Sequence, residues 1–176
     1  MRQPNRAQAL LVLFAAAAGT VLLAPGPLTA GGPGYGYLVQ AGPPCAVWWA
    51  EGAYKVLRED PVPAKGPGVV RIAVARNEFE PFLVVLRPAA RLDGVRAAAG
   101  PLVGDKGGSI AGRDITVRHV EYVNVTVPTD AEGRAGWWPD PLPPYDGPFT
   151  ASGGENHPLW ITVRVAVLET TSELKL

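Results

Sequence analysis

Beyond its first thirty residues, the chain has its clearest apolar repeats, within residues 69–75 and from Leu159 to Val167, at every second position. Nowhere does it carry the i, i+3, i+4, i+7 pattern of an amphipathic helix over more than about two turns. A chain so patterned has to bury its apolar residues from strands. The 21 Gly and 19 Pro cut it into short pieces while staying just below the low-complexity range. With 47% apolar residues, the 176-residue chain is long enough to form one domain, or part of a larger one, with its own core. Lys+Arg and Asp+Glu balance at 16 each without any like-charge block, which excludes both a disordered charged tail and the basic footprint of a nucleic-acid binder. A lone Cys45 has no internal disulfide partner and fits no metal spacing.

The strand signals are uneven. Residues 46–50 and 54–57 read as two short extended pieces, separated from the next strand signal by Pro61, Pro63 and Pro67. Val70, Ile72 and Val74 alternate with Arg71, placing one apolar face on residues 69–75. Residues 82–86 are continuously apolar, as in a strand buried on both faces. Residues 92–95 and 110–114 read as short strands or turns around a Gly-rich stretch. Across residues 115–127 the inward phase slips twice, as it would in one long strand that changes sheets through a bulge or bend. Residues 128–158 show no period and read as a long loop. Leu159, Ile161, Val163, Val165 and Val167 then alternate with polar partners to give a closing strand, whose next neighbour is expected to be missing. The fold class is all-β, an antiparallel β-sandwich incomplete at its C-terminus.

The first thirty residues differ in kind. Arg2 and Arg6 precede an uncharged Leu/Ala-rich run over 7–24, and Pro25 and Leu28-Thr29-Ala30 end it, the layout of a secretory signal peptide cleaved after Ala30. The other reading is an uncleaved anchor, for which so short a run is at the lower limit. Separated arginines give no twin-arginine signal, and the residues before Cys45 do not match a lipid-anchor site. Cleavage would leave 14 basic and 16 acidic side chains, a net charge of −2, in an exported protein with no remaining membrane segment. Residues 31–44, rich in Gly, Pro and Tyr, read as a linker in which no element is expected. The domains are then a signal peptide over 1–30, this linker, a sandwich over 45–167 and a tail over 168–176.

Candidate chemistry is sparse. Glu78 and Glu80 would lie on one side of an extended segment, where like charge raises one carboxyl pKa and can create an acid/base pair; the alternative is a solvated turn with Arg76 paired to one of them. Asp140, between Pro139 and Pro141, is either a rigid ligand or a turn residue. Trp137-Trp138 and Trp48-Trp49 are the aromatic candidates, because exposed rings stack on the apolar faces of sugars. Adjacent strand residues face opposite ways, so at most one of each pair is expected in a core, which makes Trp49 a weaker candidate beside Trp137, Trp138 and Asp140. His119 and His157 lack ligand spacing and read as structural, no metal or other cofactor is expected, and no serine lies in a nucleophile elbow. Asn124-Val125-Thr126 fits the N-glycosylation pattern within a strand.

Val47-Trp48-Trp49-Ala50-Glu51-Gly52 with Lys55-Val56, and Ala75-Arg76-Asn77-Glu78-Phe79-Glu80-Pro81-Phe82, resemble the amino-terminal β-sandwich of glycoside hydrolase family 123 and its relatives. The likeness continues through Val120-Glu121-Tyr122-Val123, Pro128-Thr129, Gly136-Trp137-Trp138-Pro139-Asp140-Pro141-Leu142-Pro143 and Asn156-His157-Pro158-Leu159-Trp160-Ile161-Thr162-Val163. The resemblance implies a sandwich that precedes a (β/α)8 barrel. In characterised members, that barrel supplies an Asp-Glu pair for substrate-assisted release of N-acetylgalactosamine. After Val165 the sequence departs from the family pattern and no barrel follows, so no catalytic residue carries over and truncation is expected. The expected role is a non-catalytic module whose partner is a carbohydrate or the missing barrel. The alternatives are a free-standing carbohydrate-binding module or a non-functional fragment.

Overall fold

The computed structural model describes residues 35–75, 77–103, 108–130 and 133–166, together with the backbone of 11–14. Within them every long element is a strand, and the one helical turn is a 3-10 turn at Gly112–Asp114. In chain order the strands are β1 (Leu11–Phe14), β2 (Gly36–Gln40), β3 (Cys45–Glu51), β4 (Phe79–Pro88), β5 (Leu92–Ala99), β6 (Leu102–Val103), β7 (Ser109–Ile110), β8 (Ile115–His119), β9 (Tyr122–Val125), β10 (Gly136–Pro139), β11 (Phe149–Ala151) and β12 (His157–Arg164). An antiparallel five-stranded sheet in the order β2-β3-β4-β12-β8 forms one layer. β5 and β11 pair antiparallel in the facing layer, where β1 adds in parallel to β5. β9 and β10 form a separate ribbon, as do β6 and β7.

The period of two places Phe82, Val84 and Leu86 of β4 and Leu159, Ile161 and Val163 of β12 on the inner face, against Leu92, Val95 and Ala97 of β5 and Ala151 of β11. The intervening Leu83 and Val85 point the other way, into a second core with Trp48, Ala50, Val56 and Val120 that loop residues Val62 and Leu142 help to cover. The continuous apolar run 82–86 is therefore buried on both faces, as its composition predicts, with every residue at most 3% exposed. Burying each such side chain favours folding by about 1.5–3 kcal/mol.

Several expectations change. The stretch expected to be a linker contains β2, because Gly36 lets the backbone lie against the Trp48 ring and the Trp49 carbonyl, where a Cβ would collide. Tyr37 stacks on Trp49 at 4.9 Å, and Tyr35 stacks on Tyr54 at 3.8 Å. Both members of the Trp48-Trp49 pair pack inward because both faces of the sheet are covered; Trp48 is fully buried and Trp49 lies half-buried against the other core. Residues 54–57 are not a strand, and residues 69–75 form no named one, although Val70, Ile72 and Val74 do turn one face to the core. The expected loop 128–158 contributes β10 and β11. β12 is not an open edge: β4 and β8 flank it, so the edge strands of this sheet are β2 and β8. The long strand expected over 115–127 is two strands, β8 in the large sheet and β9 in the ribbon, with one change of sheet at Val120 and Glu121; the second slip is not inward, since Val123 and Val127 are exposed. The tail at 168–176 and most of the expected leader lie outside the described residues.

Candidate functional site

The switch of sheets between β8 and β9 opens a gap in the molecule. His119 ends one strand, Tyr122 begins the next, and the turn before β12 brings Ser152, Glu155, Asn156 and His157 across from them. Arg58, from the loop 56–60, completes the wall, and the position of that loop is fixed by a buried polar group. Asn156 is fully buried, and its Nδ2 donates to the carbonyls of Leu57 and Asp60, both at 2.9 Å. Its Oδ1 accepts from Arg87 Nη1 at 3.2 Å, and its backbone N–H donates to the Arg58 carbonyl at 2.9 Å. Arg87 Nη1 also donates to the Asp60 carbonyl at 2.8 Å, while Tyr122 Oη donates to the Val56 carbonyl at 2.9 Å. A loop tied through so many of its carbonyls to neighbouring groups is rigid, and it carries Arg58 to the rim of the gap. There the guanidinium lies 4.3 Å from the centre of the Trp137 ring and 4.9 Å from that of Tyr122.

The resulting cleft has a volume of about 350 Å³. Burial holds both His119 and His157 below the ordinary imidazole pKa, with the neighbouring His157 lowering His119 further. Both rings are therefore neutral near pH 7. His157 Nε2 lies 3.1 Å from the Ser152 carbonyl, an acceptor, so Nε2 carries the proton and donates, leaving Nδ1 as an acceptor. His119 stacks on Phe149 at 4.3 Å. No group of three or more ligand-type side chains among the described residues could hold a metal.

A second, smaller cleft of about 190 Å³ shares Val120 with the first and is lined by Lys55, Asp140, Trp160 and mostly apolar neighbours. Asp140, between its two prolines, pairs with Lys55 at 3.2 Å, and Lys55 Nζ also donates to the Pro139 carbonyl at 3.3 Å. Both partners of this pair are exposed, so it contributes at most about 1 kcal/mol.

The aromatic pair of β10 splits across its ribbon, as alternation requires. Trp137, 45% exposed, gives one ring face to Arg58. Trp138 donates its indole N–H to the Arg134 carbonyl at 2.8 Å, and the guanidinium of Arg134, paired with Glu59, lies 5.6 Å over its ring. Glu78 accepts the Ala75 N–H at 2.6 Å and so closes the turn at Asn77, whose φ is +62°. Glu80 has a pKa raised by burial and then by the nearby Glu78 and Glu51. Trp49 lies against Tyr37, and the indole nitrogens of Trp48 and Trp49 are buried without a hydrogen-bond partner. The candidates expected from sequence are thus distributed: Trp137 touches the large cleft through Arg58, Asp140 lines the small one, and Trp49, Glu78 and Glu80 lie apart from both. Sequence reasoning misses the histidines and Arg58 because no local spacing joins them. Only the register of β8 on β12, which sets His119 opposite Leu159, brings the two rings together.

Fold and site together define a two-layer β-sandwich with a polar cleft at the point where the chain passes from one sheet to another. Among solved structures, the chain is similar to a family 123 glycoside hydrolase from Clostridium perfringens, whose structure was analysed for glycolipid glycan hydrolysis. The TM-score is 0.57 at 8% identity, over 74% of this chain and 23% of that one. The chain therefore spans about a quarter of that enzyme's length and shares its fold over that part. No protein-family model matches the sequence, and no curated protein matches it.

Proposed function

We propose that this chain is a non-catalytic β-sandwich module of an exported glycoside-hydrolase-like protein, and that its role is to support a carbohydrate-active barrel. One observation carries the reading: most of the described fold matches a glycoside hydrolase, yet it matches under a quarter of that chain. Two of the three acids nominated from sequence are engaged elsewhere, which supports the same reading. Glu78 holds a turn and Asp140 holds Lys55, whereas glycoside cleavage by a carboxyl pair needs two such groups about 5–9.5 Å apart across a sugar site. The test is incubation of the purified, folded chain with aryl N-acetylhexosaminides. No turnover above a buffer control is expected, and hydrolysis that co-purifies with the chain would overturn the proposal.

A further inference from the structure

The large cleft has a composition that the supporting role does not require. The Arg58 guanidinium lies within 5 Å of the centres of two aromatic rings, and no ion pair or hydrogen bond to another described residue uses its N–H groups. A planar donor fixed in this way loses little freedom when it binds a second group. Glu121 and Glu155 line the same space and offer only acceptors, while His157 offers a bare Nδ1 and Ser152 a hydroxyl that both donates and accepts. With neutral imidazoles, one cation and two carboxylates give the cleft a net negative charge, which disfavours an anion, and Arg58 at its rim disfavours a cation. A neutral ligand with vicinal hydroxyls fits, because each hydroxyl can donate to a carboxylate and accept from the guanidinium at once. The volume of about 350 Å³ is at the lower end of the range of about 300–1,000 Å³ for small-molecule sites.

We propose that the cleft between Arg58, Glu121, Glu155 and His157 binds one neutral sugar ring, with Arg58 and the two glutamates engaging neighbouring hydroxyls. This site is separate from the supporting role and stands or falls independently of it.

The test is titration of the full chain with methyl α- and β-glycosides of glucose, galactose and N-acetylgalactosamine, and with glucuronate as an anionic comparison. The readout is the ring resonances of His119 and His157. Saturable shifts with at least one neutral sugar are expected. Arg58→Ala should weaken that binding about tenfold or more, the effect of losing a charged hydrogen bond. Arg58→Lys should weaken it less, and Glu121→Gln should weaken it with no change in the melting temperature. Three results would overturn the proposal: no saturable shift with any neutral sugar, binding that is unchanged in both Arg58→Ala and Glu121→Gln, or tighter binding of glucuronate than of any neutral sugar.

Discussion

Replacing Asn156 by Ala removes the group on which the cleft depends. Three side-chain hydrogen bonds disappear, two donated to carbonyls and one accepted from Arg87. The consequences are unequal. The Asp60 carbonyl keeps its bond from Arg87 at 2.8 Å, whereas the Leu57 carbonyl keeps only the longer backbone bond from the Asp60 N–H at 3.3 Å. Each lost bond to a carbonyl costs about 1 kcal/mol, and the lost bond from the charged Arg87 about 1.5 kcal/mol. The total is about 3–4 kcal/mol against a domain stability of about 5–15 kcal/mol. For a domain of this size that lowers the melting temperature by roughly 10 °C. Asn156→Asp should do no better, since a carboxylate accepts from Arg87 but turns its oxygens on the Leu57 and Asp60 carbonyls. Urea unfolding followed by Trp fluorescence measures the difference. A loss under about 1 kcal/mol for Asn156→Ala, or an Asn156→Asp variant as stable as the parent, would refute the reasoning.

Other expectations rest on the same structure. His119 and His157 have folded-state pKa values below the unfolded value of about 6.5, so the unfolded chain binds protons first. Stability is therefore complete above about pH 6.5 and falls as the pH drops toward the folded values; thermal melts from pH 7.5 to 5 should show this, with a smaller fall in His119→Gln. Burial pushes the Cys45 thiol up to about 11 and leaves it 2% exposed, so an aromatic disulfide reagent should react with it only on unfolding. Rapid labelling of the native chain would contradict its place in the core. Gly36→Ala drives a methyl group into the Trp49 carbonyl and the Trp48 ring and should cost about 1–3 kcal/mol in chemical unfolding.

Legible in the sequence is whatever one local period can encode. The run 82–86 announces a strand buried on both sides, the alternation from Leu159 gives β12, and the slipped phase after Ile115 marks the passage of the chain from one sheet to another. β2 is hidden because Gly34-Tyr35-Gly36-Tyr37 has the composition of a linker. Its glycine is required by an indole that approaches from another strand, which no local pattern reveals. β12 reads as an edge because strand order is set by long-range pairing, and β8, far earlier in the chain, occupies that side. The cleft is illegible for the same reason: Arg58, His119 and His157 come from a loop and two strands that meet through sheet register and the Asn156 bonds. The proline-framed Asp140 and the tryptophans are conspicuous in the sequence, yet the structure gives each of Asp140, Trp137 and Trp138 a cationic partner on the chain itself.

The central claim, that the sandwich is a carbohydrate-associated module without chemistry of its own, is tested most directly by a hydrolysis assay of the folded full chain on aryl N-acetylhexosaminides. The account predicts a rate indistinguishable from buffer in a sample that still melts cooperatively. Turnover that follows the protein through purification and disappears when it is unfolded would contradict it.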